Sequence, residues 1–122
     1  MKKIVLALLT ASLLPLGTVS ASAETAPKSV IHVVTVSWKA GTTPEQIKAA
    51  LDGVAAMPAK FKGMTRVWIK PIKVQGDRTH AFVMEFADEA ALKAYAGSDA
   101  QKEWYKVYTP IREKSTTFDI TN

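Results

Sequence analysis

The sequence predicts an α+β fold: a four-stranded antiparallel sheet with its helices on one face. Three observations carry this. Residues 79–87 (THAFVMEFA) alternate at the two-residue strand period, with His80, Phe82, Met84 and Phe86 on one side and Thr79, Ala81, Val83 and Glu85 on the other. Both faces of that strand are largely apolar, so it belongs inside a sheet with something packed on each side. Residues 30–39 repeat the pattern, with Val30, His32, Val34, Val36 and Trp38 opposite Ile31, Val33, Thr35 and Ser37. The chain supplies helix enough to cover only one face.

In chain order, the strand over 30–39 ends at the turn Gly41-Thr42, and Thr43 opens the first helix. Thr43 is its N-cap, Pro44 its first helical residue, and Gln46 completes a T-x-x-Q capping box. Ile47, Ala50, Leu51 and Val54 form the apolar stripe that lies on the sheet, and Pro58 is expected to stop the helix. Gly63 opens a second strand over 64–74, with Pro71 placing it at an edge because proline cannot donate to a ladder. Residues 75–78 turn the chain into the strand over 79–87. Asp88 caps a short helix ended by Gly97. Ser98 and Gln101 form a second capping box for a helix striped by Ala100, Trp104, Val107, Tyr108 and Ile111, which Pro110 is expected to kink or split. A last strand runs over 115–120.

This order is the βαββαβ, ferredoxin-like pattern. With both helical layers on one side, Ile31, Val33, Ala81 and Val83 face the uncovered side. Leaving large apolar side chains wet forfeits roughly 1.5–3 kcal/mol each, in a domain whose net stability is on the order of 5–15 kcal/mol. A homodimer joined sheet to sheet is therefore expected.

The first 23 residues read as an export signal: Lys2 and Lys3, an apolar run from Ile4 to Leu16, and the small-residue pattern Ala21-Ser22-Ala23. The apolar run is too short to span a bilayer, so the mature protein is expected without a membrane anchor, in the periplasm or the medium. Cysteine is absent, which excludes disulfides and a cysteine-linked lipid. Removing residues 1–23 takes away Lys2 and Lys3, so the formal charge falls from +5 to +3. The remaining bases are scattered among the acids without a run of like charge, and no nucleic-acid partner is expected. Residues 24–29 form a short polar leader to a single domain over 30–122.

His32 near the start of the first strand, GTTPEQI at the first helix, THAFVMEF with His80, FADEAALKAY and the terminal FDI together resemble the stress-responsive A/B barrel (Dabb) family, over nearly all of residues 30–122. The resemblance implies a dimeric α+β barrel. It includes a plant polyketide cyclase that works without a metal or organic cofactor, and the wider superfamily holds monooxygenases and lactone isomerases. Tyr95 matches the tyrosine with which the cyclase positions its substrate. The family's His-Pro-Ala-His segment is replaced by Ser98-Asp99-Ala100-Gln101, so Gln101 stands where the cyclase has its base, and glutamine cannot accept a proton.

His32 and His80 are the only imidazoles, each within the first three residues of its strand. If the first and third strands form a parallel central pair, the two sit near the same end. One reading makes His32 and His80 proton handlers and Tyr95 an orienting group, since histidine titrates closest to neutral pH. The other makes them structural residues at strand ends. Two histidines without cysteine or a same-strand carboxylate on their face fall short of a metal-ligand set, and neither a metal nor another cofactor is expected. Resemblance and strand parity together give a pocket wall of Val34, Leu51, Val54, Val67, Phe82, Met84, Gln101 and Trp104 beside His32, His80 and Tyr95. Trp38 and Trp68 are either barrel packing or interface anchors, and packing is the favoured reading. Three functions follow: an exported, stress-associated module binding a small apolar or aromatic ligand; a cofactor-independent cyclase, isomerase or monooxygenase; or a structural domain with a closed core.

Overall fold

The computed structural model describes Gly17 and residues 28–122; apart from Gly17, the predicted export signal lies outside the described residues. The chain runs β1 (Val30–Trp38), α1 (Pro44–Lys60), β2 (Met64–Trp68), β3 (His80–Phe86), α2 (Glu89–Tyr95), α3 (Asp99–Tyr108) and β4 (Arg112–Ile120). The four strands form one sheet in the order β2-β3-β1-β4. Every neighbouring pair is antiparallel.

That pairing corrects one expectation. The central strands β1 and β3 run antiparallel: α1 carries the chain across to β2, leaving a gap one strand wide, and β3 turns back into it. His32 pairs with Met84 and His80 with Val36, so the histidines are four register positions apart, about 13 Å at ~3.3 Å per residue.

Element ends also differ. The capping box at Thr43 forms as read, with Gln46 N–H on Thr43 Oγ1 at 3.2 Å and Thr43 N–H on Gln46 Oε1 at 2.9 Å. The helix then continues through Pro58 to Lys60; only the bond of the missing N–H is lost, and Phe61 N–H closes the last turn on Met57 O at 2.9 Å. β2 stops at Trp68 because Pro71 cannot extend the ladder and the Ile69 carbonyl is taken by His80 Nε2 at 3.0 Å. α3 ends at Tyr108, ahead of Pro110, so the proline lies in the turn and kinks nothing. β4 starts at Arg112, since β1 pairs with it as far as Trp38 across a bulge at Ser37/Trp38.

The helices pack on the face of Val34, Val36, Phe82, Met84 and Phe86, where Ala50, Val54 and Met57 of α1, Tyr95 of α2 and Trp104 and Tyr108 of α3 complete the core. Across the sheet's other face, cross-strand register sets Trp68, Val83, Val33 and Phe118 in one row through all four strands, with Ile31 and Ile120 beside them. Trp68 is 49% exposed, Phe118 55% and Ile120 59%. Trp68 is thus a surface residue of the open face, contrary to its reading as packing, while Trp38 does pack against the core.

A single acid interrupts that apolar face. Glu85 is buried, held by both Arg66 Nε and Arg66 Nη2, the latter at 2.9 Å, and by the Ser29 hydroxyl at 2.7 Å. The Arg66 guanidinium, against the opposing cost of burial, brings its pKa from 4.5 down to about 2. A depressed carboxylate pKa stabilises the fold above the unfolded value and ceases to do so as pH falls through the folded one. Stability is therefore expected to drop between about pH 5 and pH 2. The contribution is on the order of 1 kcal/mol, because the Arg66 side chain is 63% exposed and the pair is screened. Urea unfolding across that range checks it: Glu85→Gln should lose this part of the pH dependence, and an identical profile in the variant would refute the assignment.

Candidate functional site

A cavity of about 50 Å³ opens between α3, the helix-facing side of β1 and β3, and β4. Its floor is Val34, Phe82 and Met84, brought to one side by the strand period, and Trp104 walls it from α3. Trp104 is set firmly: its indole stacks on Tyr108 at 4.3 Å and its Nε1–H donates to Ala50 O at 2.8 Å. The helix-side residues of β4, Ser115 and Thr117, also line the cavity, and both are exposed, so its mouth lies over β4.

Local structure aims the polar groups. Asp88 caps α2 by accepting Ala91 N–H at 2.8 Å, and α2 ends on Tyr95. Gly97, at φ 75°, takes the left-handed conformation that reverses the chain, and Ser98 accepts Gln101 N–H at 3.2 Å to start α3. The Gln101 side chain reaches back to Gly97 N–H at 2.7 Å, so its carbonyl is already engaged although it lines the cavity.

His32 has its Nδ1 2.6 Å from Asp119 Oδ1. A carboxylate only accepts, so Nδ1 carries a proton, and whenever the ring is neutral Nε2 is its acceptor. Tyr95 and Tyr108 are each 3% exposed; the Tyr95 hydroxyl has no hydrogen-bond partner, and the Tyr108 hydroxyl lies beside the Arg112 and Ser115 side chains. Burial pushes the Tyr95 pKa up, helped by the neighbouring Tyr105 and Tyr108. Burial likewise raises Tyr108, against the charge of the Arg112 guanidinium, which lies 5.3 Å over its ring, and against hydrogen bonding with the Arg112 and Ser115 side chains. An unpartnered buried hydroxyl costs roughly 1–3 kcal/mol, and Tyr95 carries one in the wall of this cavity.

Of the residues singled out in the sequence, the cavity brings together His32, Val34, Phe82, Met84, Tyr95, Gln101 and Trp104. His80 is elsewhere, bound to the Ile69 carbonyl and against Trp38, because the antiparallel register carries it away from His32. Val54 is fully buried in the core, and Leu51 and Val67 pack against that core away from the cavity. Sequence reasoning missed Tyr105, Arg112, Ser115, Thr117 and Asp119, and took Tyr108 only as core. The signal for the β4 group was its alternation: Ser115, Thr117 and Asp119 share one side of the strand, opposite Thr116, Phe118 and Ile120. Among the described residues no cluster of three His, Cys, Asp or Glu could hold a metal ion. Among them no helix is long and apolar enough to cross a membrane.

One antiparallel sheet in the order β2-β3-β1-β4, roofed by helices on one face, defines an α+β protein of ferredoxin-like class. Residues 30–122 match the family described as Stress responsive A/B Barrel Domain, and the chain belongs to that family. Solved structures agree on the fold. A Dabb family protein with a ferredoxin-like fold from Mesorhizobium loti is 23% identical, with a TM-score of 0.66 over 78% of this chain and 97% of the other. The hydroxynitrile lyase from Passiflora edulis is 19% identical, with a TM-score of 0.71 over 80% and 95%. A protein from Bacteroides fragilis, described as dimeric, of unknown function and with a ferredoxin-like fold, is 17% identical, with a TM-score of 0.62 over 77% and 96%. No curated protein matches the chain.

Proposed function

We propose that this chain is an exported, homodimeric barrel protein that binds a small molecule with an apolar or aromatic body and an oxygen-bearing head group. The observation that carries this is a cavity with an apolar floor whose wall includes two buried tyrosines, Tyr95 with an unpartnered hydroxyl and Tyr108 beside Arg112 and Ser115. A cavity of about 50 Å³ holds little more than the head group, given the ~30 Å³ share of one water in the liquid, so the body of the ligand lies in the mouth over β4. The pattern of residues 1–23 supports export. Pairing through the open face is supported by the exposed Trp68, Phe118 and Ile120 and by the dimeric neighbour from Bacteroides fragilis. The His32–Asp119 pair favours a second reading, a cofactor-independent acid–base enzyme with His32 Nε2 as proton acceptor. The Passiflora neighbour, a hydroxynitrile lyase, shows one activity carried by a similar fold.

Both readings are tested on one set of proteins. Benzyl alcohol titrated into the wild type should shift the Tyr95, Tyr108 and His32 side-chain NMR signals. Tyr95→Phe and Tyr108→Phe should each weaken that binding about tenfold, and Tyr95→Phe should leave stability unchanged or raise it by up to about 1 kcal/mol, since an unsatisfied hydroxyl is removed. Loss of stability with unaltered affinity would make the hydroxyls structural and the core closed. For the acid–base reading, acetophenone in D2O should exchange its methyl protons faster than in buffer, by a factor on the order of 10²–10⁴ that His32→Gln abolishes. Exchange at the buffer rate in the wild type would dismiss it.

A further inference from the structure

The hydrogen-bonding inventory of the cavity is lopsided. Tyr95 brings an unused hydroxyl, Tyr108 one that lies beside Arg112 and Ser115, Ser115 and Thr117 add two more at the mouth, and Gln101 has spent its carbonyl on Gly97 N–H, leaving its amide hydrogens. His32, whose Nδ1 is engaged by Asp119, lines the same cavity. Arg112 joins the same wall with a full positive charge. It stacks over Tyr108, and its guanidinium makes no ion pair with any carboxylate among the described residues. Of the two acids on β4, Glu113 adjoins Arg112 in sequence but is exposed and not paired with it, and Asp119 is seven residues along and engaged by His32. A planar guanidinium matches a pair of carboxylate oxygens as a lysine ammonium does not.

We propose that Arg112 makes the site selective for an anionic head group, so that the ligand class is a small aromatic monocarboxylate whose oxygens sit between the Arg112 guanidinium and the Tyr95 and Tyr108 hydroxyls. This rests on the binding reading above and names its ligand class. Neutral alcohols and amides of the same shape use the hydroxyls alone, and Arg112 is the residue that separates the two classes.

The test compares benzoate with benzyl alcohol by NMR titration of the full-length wild type and three variants at one pH and constant ionic strength. Benzoate should bind the wild type at least about tenfold tighter than benzyl alcohol. Arg112→Gln should erase that preference, read as the ratio of the two affinities. Arg112→Lys, which preserves charge and much of the side-chain length, should retain a preference for benzoate but bind it more weakly, since the two-pronged contact is lost. His32→Gln should keep the preference, showing that a protonated imidazole is not its source. Equal affinity for the two probes in the wild type, or a preference that survives Arg112→Gln, would overturn this assignment while leaving the binding site standing. Absence of any shift at Tyr95 and Tyr108 with either probe would overturn both.

Discussion

Replacing Trp104 by alanine is expected to destabilise the fold by about 3–5 kcal/mol, the range for removing a large buried aromatic side chain. Several separate contacts go at once. The indole is 7% exposed, stacks on Tyr108, meets Phe82 edge-on at 5.7 Å and donates to the Ala50 carbonyl from across the α1–α3 contact. Its bed on α1 is made by a missing side chain: a Cβ on Gly53 would stand 2.5 Å from Trp104 Cδ1. The usual gain of about 1 kcal/mol for alanine over glycine inside a helix is therefore unavailable at that position. Urea denaturation of the wild type and Trp104→Ala gives the measurement. Trp104→Phe should recover part of the loss by refilling most of the volume without the Ala50 bond. A cost below about 1 kcal/mol for the alanine variant would mean that α3 is not held to α1 in this way.

Val33→Glu is expected to abolish pairing between copies. Val33 lies mid-row on the open face, between Val83 and Phe118. In a two-fold interface each substitution appears twice, and an unpaired buried carboxylate loses hydration that nothing in an apolar row restores. A weakening of about a thousandfold or more is expected, enough to turn a micromolar dimer into a monomer. Val33 is only half-buried in the single chain, so the fold itself should survive, with an unchanged far-ultraviolet dichroism spectrum. Sedimentation equilibrium is the measurement. A wild type that is monomeric at ~10 µM would remove the pairing proposal, and a Val33→Glu variant that stays dimeric would move it to another surface.

The sequence by itself determined the elements and the unequal covering of the sheet. The two-residue alternation in β1 and β3 and the caps at Thr43, Asp88 and Ser98 act between residues only a few positions apart, and local spacing records such interactions directly. The same alternation placed His32, Val34, Phe82 and Met84 on the helix-facing side before any register was known. Tertiary structure alone decided the company these residues keep. Asp119 reaches His32 from 87 positions away, His80 is carried from the cavity by the antiparallel pairing of β1 with β3, and Arg112 and Tyr108 close the wall around a turn that Pro110 occupies. The period of a strand states which face a side chain takes, but its neighbour across the ladder depends on strand direction and register, and those are settled only when distant segments pack.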